Sequence, residues 1–318
     1  MLRLSAQTGA IDHRAFRDLP DLLRSGDLLV VNRTRVIRAR LIGQRASGGR
    51  VEALLVRQID SHTWEAWLRP SGRLRVGEVL AIAPSVSLQV ASDALATDGR
   101  RRVRVLSADS DSLETIQVHG HVPLPPYIAR ADGPLDGERY QTVFAREPGS
   151  VAAPTAGLHF TPQLLERLAA RSIERAEVVL HVGPATFQPL RTDDVAQHRL
   201  PAEPYAIPPE TAAAIAQTRR RGGRIVAVGT TTTRALESAA TPERLVLAGE
   251  GATELVIVPG YRWRVIDALI TNFHLPRSSL LLLVCARAGT ERTLAAYREA
   301  ARAGYDFYSY GDAMLIDD

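Results

Sequence analysis

At 318 residues and 45% hydrophobic content, the chain can bury a sizeable core in one large or two ordinary domains. Its longest apolar run, Leu280-Leu-Leu-Leu-Val-Cys-Ala286, falls short of the ~20 residues a membrane span needs, and Met1-Leu-Arg-Leu has no long apolar segment; the one cysteine, Cys285, excludes an internal disulfide. A cytoplasmic location with no membrane partner is expected. The net charge of +4 is mild, but all 39 basic residues are arginine, which removes Schiff-base and lysine general-base chemistry and leaves bidentate phosphate contacts open. An arginine-biased genome accounts for the same numbers, since no long basic run occurs. No Cys/His cluster has zinc spacing, so no metal is expected.

In chain order, residues 1–35 predict a short strand, a helical stretch over Phe16–Arg24, and a buried strand in Gly26-Asp-Leu-Leu-Val-Val-Asn32, which ends in Asn-Arg-Thr-Arg. From about Val36 to Val118 the texture changes to short, often alternating runs such as Val51-Glu-Ala-Leu-Leu-Val and Arg102-Val-Arg-Val-Leu, split by Gly, Ser or Asp. About five or six strands at that spacing predict a small antiparallel barrel or sandwich, inserted over residues 36–118 into a core made of 1–35 and 119–318. The prolines of His121-Val-Pro-Leu-Pro-Pro-Tyr-Ile128 forbid helix or central strand; the segment reads as a rigid lip beside a cleft or as a linker.

The stretch Ser150-Val-Ala-Ala-Pro-Thr-Ala-Gly-Leu-His-Phe160 sets small residues beside the hydroxyl of Thr155 and the imidazole of His159, and a residue such as Gly157 lets a ligand approach the backbone. Thr161 and Pro162 then supply an N-cap and first turn, ahead of Leu164, Leu165 and Leu168 at helical spacing. His159 thus falls just before a helix N-terminus, although a tight turn around a core histidine fits the same residues.

Beyond it strands and helices alternate. The strand Ala176-Glu-Val-Val-Leu-His-Val-Gly183 and the helix Pro209–Arg221, closed by Gly222-Gly223, are followed by the strand Arg224-Ile-Val-Ala-Val-Gly229, which runs into Thr230-Thr-Thr-Thr-Arg-Ala-Leu-Glu-Ser238. Strands are then expected over Glu254–Val258 and Trp263–Ile270, the latter leading to Thr271-Asn-Phe-His-Leu-Pro276. Ser278 caps the Leu-rich helix, Thr290 opens one that Gly304 stops, and Tyr305–Ile316 follow. The expected fold class is α/β: a mixed-sheet, barrel-like core with an inserted small antiparallel β-barrel.

In open α/β sheets ligands bind outside the carboxyl ends of the strands, at helix N-termini. His181 and Gly183, Thr230 to Thr233, and Asn272 with His274 all fall at such exits, which makes them candidates for one shared site. Taken singly, a threonine cluster after a strand is often a cap and a lone histidine a satisfied core group. There is no Walker loop, no Gly-x-Gly-x-x-Gly after a strand and no Gly-x-Ser-x-Gly elbow. With Glu237 one turn into its helix and Asp312 near the end, the set suits a substrate that brings its own leaving group and needs positioning and proton transfer.

The blocks Leu28-Leu-Val-Val-Asn-Arg-Thr-Arg-Val-Ile, Pro123-Leu-Pro-Pro-Tyr-Ile, Arg139-Tyr-Gln-Thr-Val-Phe-Ala, Ser150 to Phe160, Leu180-His-Val-Gly, Gly229-Thr-Thr, Thr271-Asn-Phe-His-Leu-Pro and Ser309-Tyr-Gly-Asp-Ala-Met-Leu-Ile closely resemble the S-adenosylmethionine:tRNA ribosyltransferase-isomerase family of queuosine biosynthesis, in order over nearly the whole chain. The resemblance implies that S-adenosyl-L-methionine is a co-substrate whose ribosyl part is transferred to the aminomethyl group of a 7-deazaguanine at the wobble position of a GUN-anticodon tRNA. Rearrangement gives epoxyqueuosine, with adenine and methionine released and no metal or redox cofactor required. It further implies an α/β core with an inserted β-barrel. Thr155, His159, His181, Asn272 and His274 would line the cleft, with Arg234 and Glu237 on the Gly-Thr-Thr helix. Substrate contacts are expected from Thr155, Gly157, His181, Gly183, Thr230, Thr231, Arg234 and Asn272, with Arg35 and Arg139 holding phosphate or carboxylate. His159 or His274 is the preferred proton-transfer group, since an unperturbed imidazole titrates near ~6.5, with Glu237 or Asp312 as the fallback. A monomer or weak oligomer is expected.

Arg33 and Arg38 stand where the family often has an acidic or amide residue and a proline, and His198-Arg-Leu-Pro-Ala-Glu-Pro-Tyr has Pro201 in place of a second histidine. The family's segment ahead of Met1-Leu-Arg-Leu is longer; a misplaced start codon or a truncation would each account for that. A transferase acting on a free nucleoside and a noncatalytic nucleotide-binding protein are the rival readings.

Overall fold

The chain opens with β1 (Leu2–Ser5), β2 (Ile11–His13), a 3₁₀ turn at Phe16–Asp18, α1 (Leu19–Leu22) and β3 (Leu28–Asn32). Every residue of β3 is buried, as a continuous apolar run in a sheet covered on both faces requires. The helical stretch anticipated over Phe16–Arg24 is thus a 3₁₀ turn and one α-turn, with Pro20 in its first positions. After β4 (Thr34–Val36) come β5 (Arg40–Arg45), β6 (Arg50–Gln58), β7 (Thr63–Arg69), β8 (Val79–Ala83), β9 (Val86–Val90), β10 (Arg101–Leu106), α2 (Ser112–His119) and α3 (Asp136–Arg139). The remainder is β11 (Glu147–Ser150), a 3₁₀ turn at Thr155–His159, α4 (Pro162–Ala170), β12 (Glu174–Leu180), β13 (Glu203–Ile207), α5 (Pro209–Arg220), β14 (Ile225–Val228), α6 (Thr230–Ser238), β15 (Gly249–Thr253), β16 (Ala268–Asn272), α7 (Ser279–Ala288), α8 (Thr290–Arg302) and β17 (Ala313–Asp317). The computed structural model describes residues 1–70, 74–94, 99–108, 111–125, 127–183, 195 and 198–318. Pro126 of the proline-rich stretch lies outside them.

These residues fall into two units, one of Met1–Thr34, Gln141–Glu147 and Ala153–Asp318, the other of Arg35–Tyr140 and Pro148–Ala152. The insert anticipated over 36–118 is therefore part of a unit that runs on to Tyr140. In that second unit β5 to β10 close into an antiparallel barrel in the order β10-β7-β6-β5-β8-β9. Alternation puts Leu41, Val51, Ala53, Leu55, Leu88 and Val103 inside it. Buried Trp64 needs a partner for its indole N–H, and Ser112 at the start of α2 accepts it at 2.8 Å.

In the first unit nine strands lie in one sheet, β15-β13-β12-β3-β14-β16-β17-β1-β2. β12, β3, β14 and β16 are neighbours and mutually parallel, so their carboxyl ends share one edge. β17 runs antiparallel to β16, and β1 parallel to β17. Leu29, Val31, Val226, Ile270 and Leu315 form its core with Leu164 and Leu168 of α4. The caps are local: the Thr161 hydroxyl accepts from the Leu164 amide at 3.2 Å, and the Ser278 hydroxyl from that of Leu281 at 3.2 Å.

The strand anticipated over Glu254–Val258 does not form, and the one anticipated over Trp263–Ile270 forms only from Ala268 onward, as β16; β15 ends at Thr253. The Glu237 carboxylate takes the backbone N–H groups of Arg264, Val265 and Ile266, which a ladder would otherwise need. Among the described residues no helix is long and apolar enough to cross a membrane.

Candidate functional site

Two polar clusters stand at the carboxyl ends of the parallel strands. The first is organised by Asn32, buried at the end of β3. Its amide nitrogen donates to the Leu180 carbonyl at 2.9 Å and to the Thr231 hydroxyl at 3.3 Å, and its oxygen accepts from the amides of Thr34 and Leu180, each at 3.1 Å. One side chain thus ties β3 to β12 and to the first turn of α6. His181 follows Leu180, with Nδ1 2.8 Å from the Thr34 hydroxyl. Burial pushes its pKa down, partly opposed by Glu147. The Gly183 amide donates to the Glu203 carboxylate at 2.8 Å, and the other oxygen of that carboxylate pairs with Arg234.

The second cluster joins the Thr155–His159 turn to the end of β16. The Asn272 oxygen accepts from the Thr155 hydroxyl at 3.3 Å. Its nitrogen lies 3.2 Å from Nε2 of His159, 3.2 Å from the Tyr308 carbonyl and 3.4 Å from that of Gly311. An amide nitrogen only donates, so Nε2 of His159 is an acceptor and the ring is neutral, with its proton on Nδ1. The Phe16 ring stacks on it at a centroid distance of 5.0 Å. Burial holds the His159 pKa below the ordinary imidazole value, and Asp312 acts in the opposite sense. The Asp312 side chain is 41% exposed and accepts from the Asp306 amide at 3.0 Å.

α6 enters between these clusters. Gly229 turns the chain from β14 at φ +88°, a conformation that favours glycine, and the added Cβ would lie 3.7 Å from Ala156 and from the Thr231 hydroxyl. Thr232 and Thr233 return their hydroxyls to the carbonyls of Val228 and Gly229. Thr230 and Thr231, also buried, stand at the amino end of the helix.

The remaining candidates divide differently. Gly157 is small for packing rather than for a ligand, because a Cβ there would sit 2.7 Å from Phe144 and from the Thr142 methyl. Glu237 is buried, and besides three backbone amides it accepts from the Tyr261 hydroxyl at 3.1 Å, so its oxygens are spent on the 261–266 loop. Arg234 is an internal ion pair that also donates to the Leu255 carbonyl at 2.9 Å. His274 has Nε2 2.8 Å from the Thr271 hydroxyl, and desolvation pushes its pKa down to about 4. It stays with Thr271 and Tyr297 rather than joining His159. Arg35 and Arg139 are both exposed and belong to the second unit. Among the described residues no three of His, Cys, Asp or Glu are gathered as a metal ion would need.

Phe16 and Glu203 are the members that sequence reasoning missed, whereas Asn32 and Thr34, in the polar Asn-Arg-Thr-Arg that ends a buried strand, are candidates by position whose partners the sequence does not give. Asn32 carried a signal, a polar residue ending a wholly apolar strand. Glu203 carried one too, inside the His198-to-Tyr205 block.

A family model described as "Queuosine biosynthesis protein" matches residues 1–316. A protein of Gloeobacter violaceus named S-adenosylmethionine:tRNA ribosyltransferase-isomerase is 54% identical over 304 residues, covering 96% of this chain and 85% of its own length. One of the same name from Pelobacter propionicus is 50% identical over 319 residues, covering 100% and 92%. The crystal structure of S-adenosylmethionine tRNA ribosyltransferase from Thermotoga maritima, 36% identical, superposes with a TM-score of 0.52 over 99% of this chain and 91% of that one. The match over the whole length, with the site blocks in place, means that the chain belongs to the queuosine biosynthesis protein family, a family of S-adenosylmethionine:tRNA ribosyltransferase-isomerases.

Proposed function

We propose that the chain transfers the ribosyl part of S-adenosyl-L-methionine to the aminomethyl group of 7-aminomethyl-7-deazaguanine at the wobble position of a GUN-anticodon tRNA, and isomerises it to give epoxyqueuosine with release of adenine and methionine. The sulfonium of the co-substrate acidifies the adjacent ribosyl carbon and makes methionine a leaving group, so the protein needs a positioned base and no nucleophile of its own. His159 is that base. Thr155, His181, Gly183, Thr230, Thr231 and Asn272 border the substrate, Asp312 opposes the loss of basicity at His159, and the exposed Arg35 and Arg139 contact phosphate.

The observation that carries this reading is the count around Asn272: two amide protons face three acceptors, Nε2 of His159 and the carbonyls of Tyr308 and Gly311. Any one of the three can be released with both protons still satisfied, so the amide can give up Nε2 while the two carbonyls hold it. The Nε2 lone pair can turn to a substrate proton without leaving an orphaned donor, while the contact to Asn272 keeps the imidazole neutral and aimed until then. The test is single-turnover adenine release with modified tRNA after His159→Gln. A fall of about 10²–10⁴-fold is expected, and near-normal release overturns the role of His159. Activity that ignores tRNA and salt would point instead to a free nucleoside substrate.

A further inference from the structure

The loop 305–312 carries the Asn272 contacts and is built unlike an ordinary surface loop. Its ends are clamped: the Asp312 amide donates to the Asp306 carbonyl at 2.7 Å, and the Asp306 amide to the Asp312 carboxylate at 3.0 Å. Gly311 folds so tightly that a Cβ would lie 2.5 Å from the Asp306 oxygen. Phe307 is anchored in an aromatic cluster, its ring 5.0 Å from that of Phe273 and 5.8 Å from that of Tyr297. The next residue, Tyr308, takes φ +78°, a conformation a bulky L-residue rarely adopts and one that costs free energy unless the surroundings impose it. They do so here. The Tyr308 amide donates to the Phe273 carbonyl at 3.0 Å, and its carbonyl accepts from Asn272 and from the Gly311 amide.

In this rigid and strained arrangement Tyr308 and Tyr310 are 39% and 46% exposed, and the Tyr308 carbonyl accepts from Asn272, whose amide also meets His159. An enzyme that works on a base within RNA must take it out of its stack, and exposed aromatic faces are what replace the lost stacking.

We propose that Tyr308 and Tyr310 form a stacking platform for an unstacked nucleobase of a single-stranded RNA loop, beside the His159–Asn272 cluster. The inference rests on the tRNA reading above and adds to it the residues that hold the base.

The test uses the full chain and two anticodon stem-loop RNAs that differ in one nucleotide, with a base or an abasic sugar at the wobble position, and reads their affinities by fluorescence anisotropy. Wild type is expected to bind the base-containing loop about tenfold more tightly, the scale of stacking on an aromatic ring. Tyr308→Asn, a residue tolerated at positive φ, and Tyr310→Ala should each shrink that ratio and together abolish it, with S-adenosylmethionine affinity unchanged; Tyr308→Phe and Tyr310→Phe should keep it. A ratio that is the same in wild type and in the variants lacking the rings overturns the proposal, as does a loss confined to S-adenosylmethionine binding. Failure of the enzymatic reading is distinguishable, because it shows as absent adenine release by the wild-type chain.

Discussion

Arg234 donates to the Glu203 carboxylate with both side chains almost wholly buried, and the same carboxylate takes the amide of Gly183 at the exit of β12. A buried ion pair adds little over an apolar pair, but removing one member leaves a desolvated charge. Glu203→Ala should therefore destabilise the protein by about 3–5 kcal/mol, read as a lower urea midpoint. Replacing both residues by apolar ones of similar size should cost less than the single change; equal costs would mean that the pair is not coupled.

Glu237 offers a sharper separation of structure from chemistry. Glu237→Gln halves the acceptor oxygens facing the amides of Arg264, Val265 and Ile266 and introduces an amide among donors. A loss of roughly 2–3 kcal/mol is expected, the scale of hydrogen bonds to a charged group. Protein that remains folded should still release adenine at the wild-type single-turnover rate. A collapse of that rate at unchanged stability would return Glu237 to the list of proton-transfer groups.

His274 makes stability fall in acid. Desolvation depresses its folded pKa to about 4, below the ordinary value near ~6.5, so the unfolded chain binds the proton first. Its contribution is complete above the unfolded value and is lost as pH falls through the folded one, on the order of 2–3 kcal/mol between about pH 6.5 and pH 4. Burial depresses His159, His181 and His198 in the same direction. The informative measurement is thus the difference in urea midpoint between pH 7 and pH 4 for wild type and for His274→Gln. An identical difference in both would show that His274 is not the group responsible.

Asn272→Asp would place a carboxylate oxygen where an amide nitrogen now meets Nε2 of His159. A negative neighbour favours the imidazolium, so the His159 pKa should rise and its basic form should disappear at a higher pH. The acid limb of the pH profile for single-turnover adenine release should move upward, with loss of rate at neutral pH. A profile that does not move would uncouple the two residues.

What could be read from the amino acids alone divides by distance along the chain. Thr161 and Ser278 were legible as caps because the amide each accepts from lies three residues on, and the barrel because alternation is a property of each strand by itself. The strand exits followed from apolar runs that stop at polar residues. Asn32 was not legible as a hub because its partners Leu180 and Thr231 lie 148 and 199 residues away. Gly157 suggested access for a ligand, whereas the atoms that demand a glycine belong to Thr142 and Phe144. Glu237 stands one turn into a helix after a strand, and spacing cannot tell which loop will close over that face.

Strand β17 lies between β16 and β1, so the β1–β2 hairpin reaches the rest of the sheet through it. During translation the hairpin has no edge to join until residues 313–317 have been made, and Leu2 and Leu4, fully covered in the finished protein, stay open to water until then. Assembly of this half of the sheet is consequently slow, since the pairings that complete it join segments far apart in sequence. Until those pairings form, the apolar side chains of the hairpin are open to aggregation.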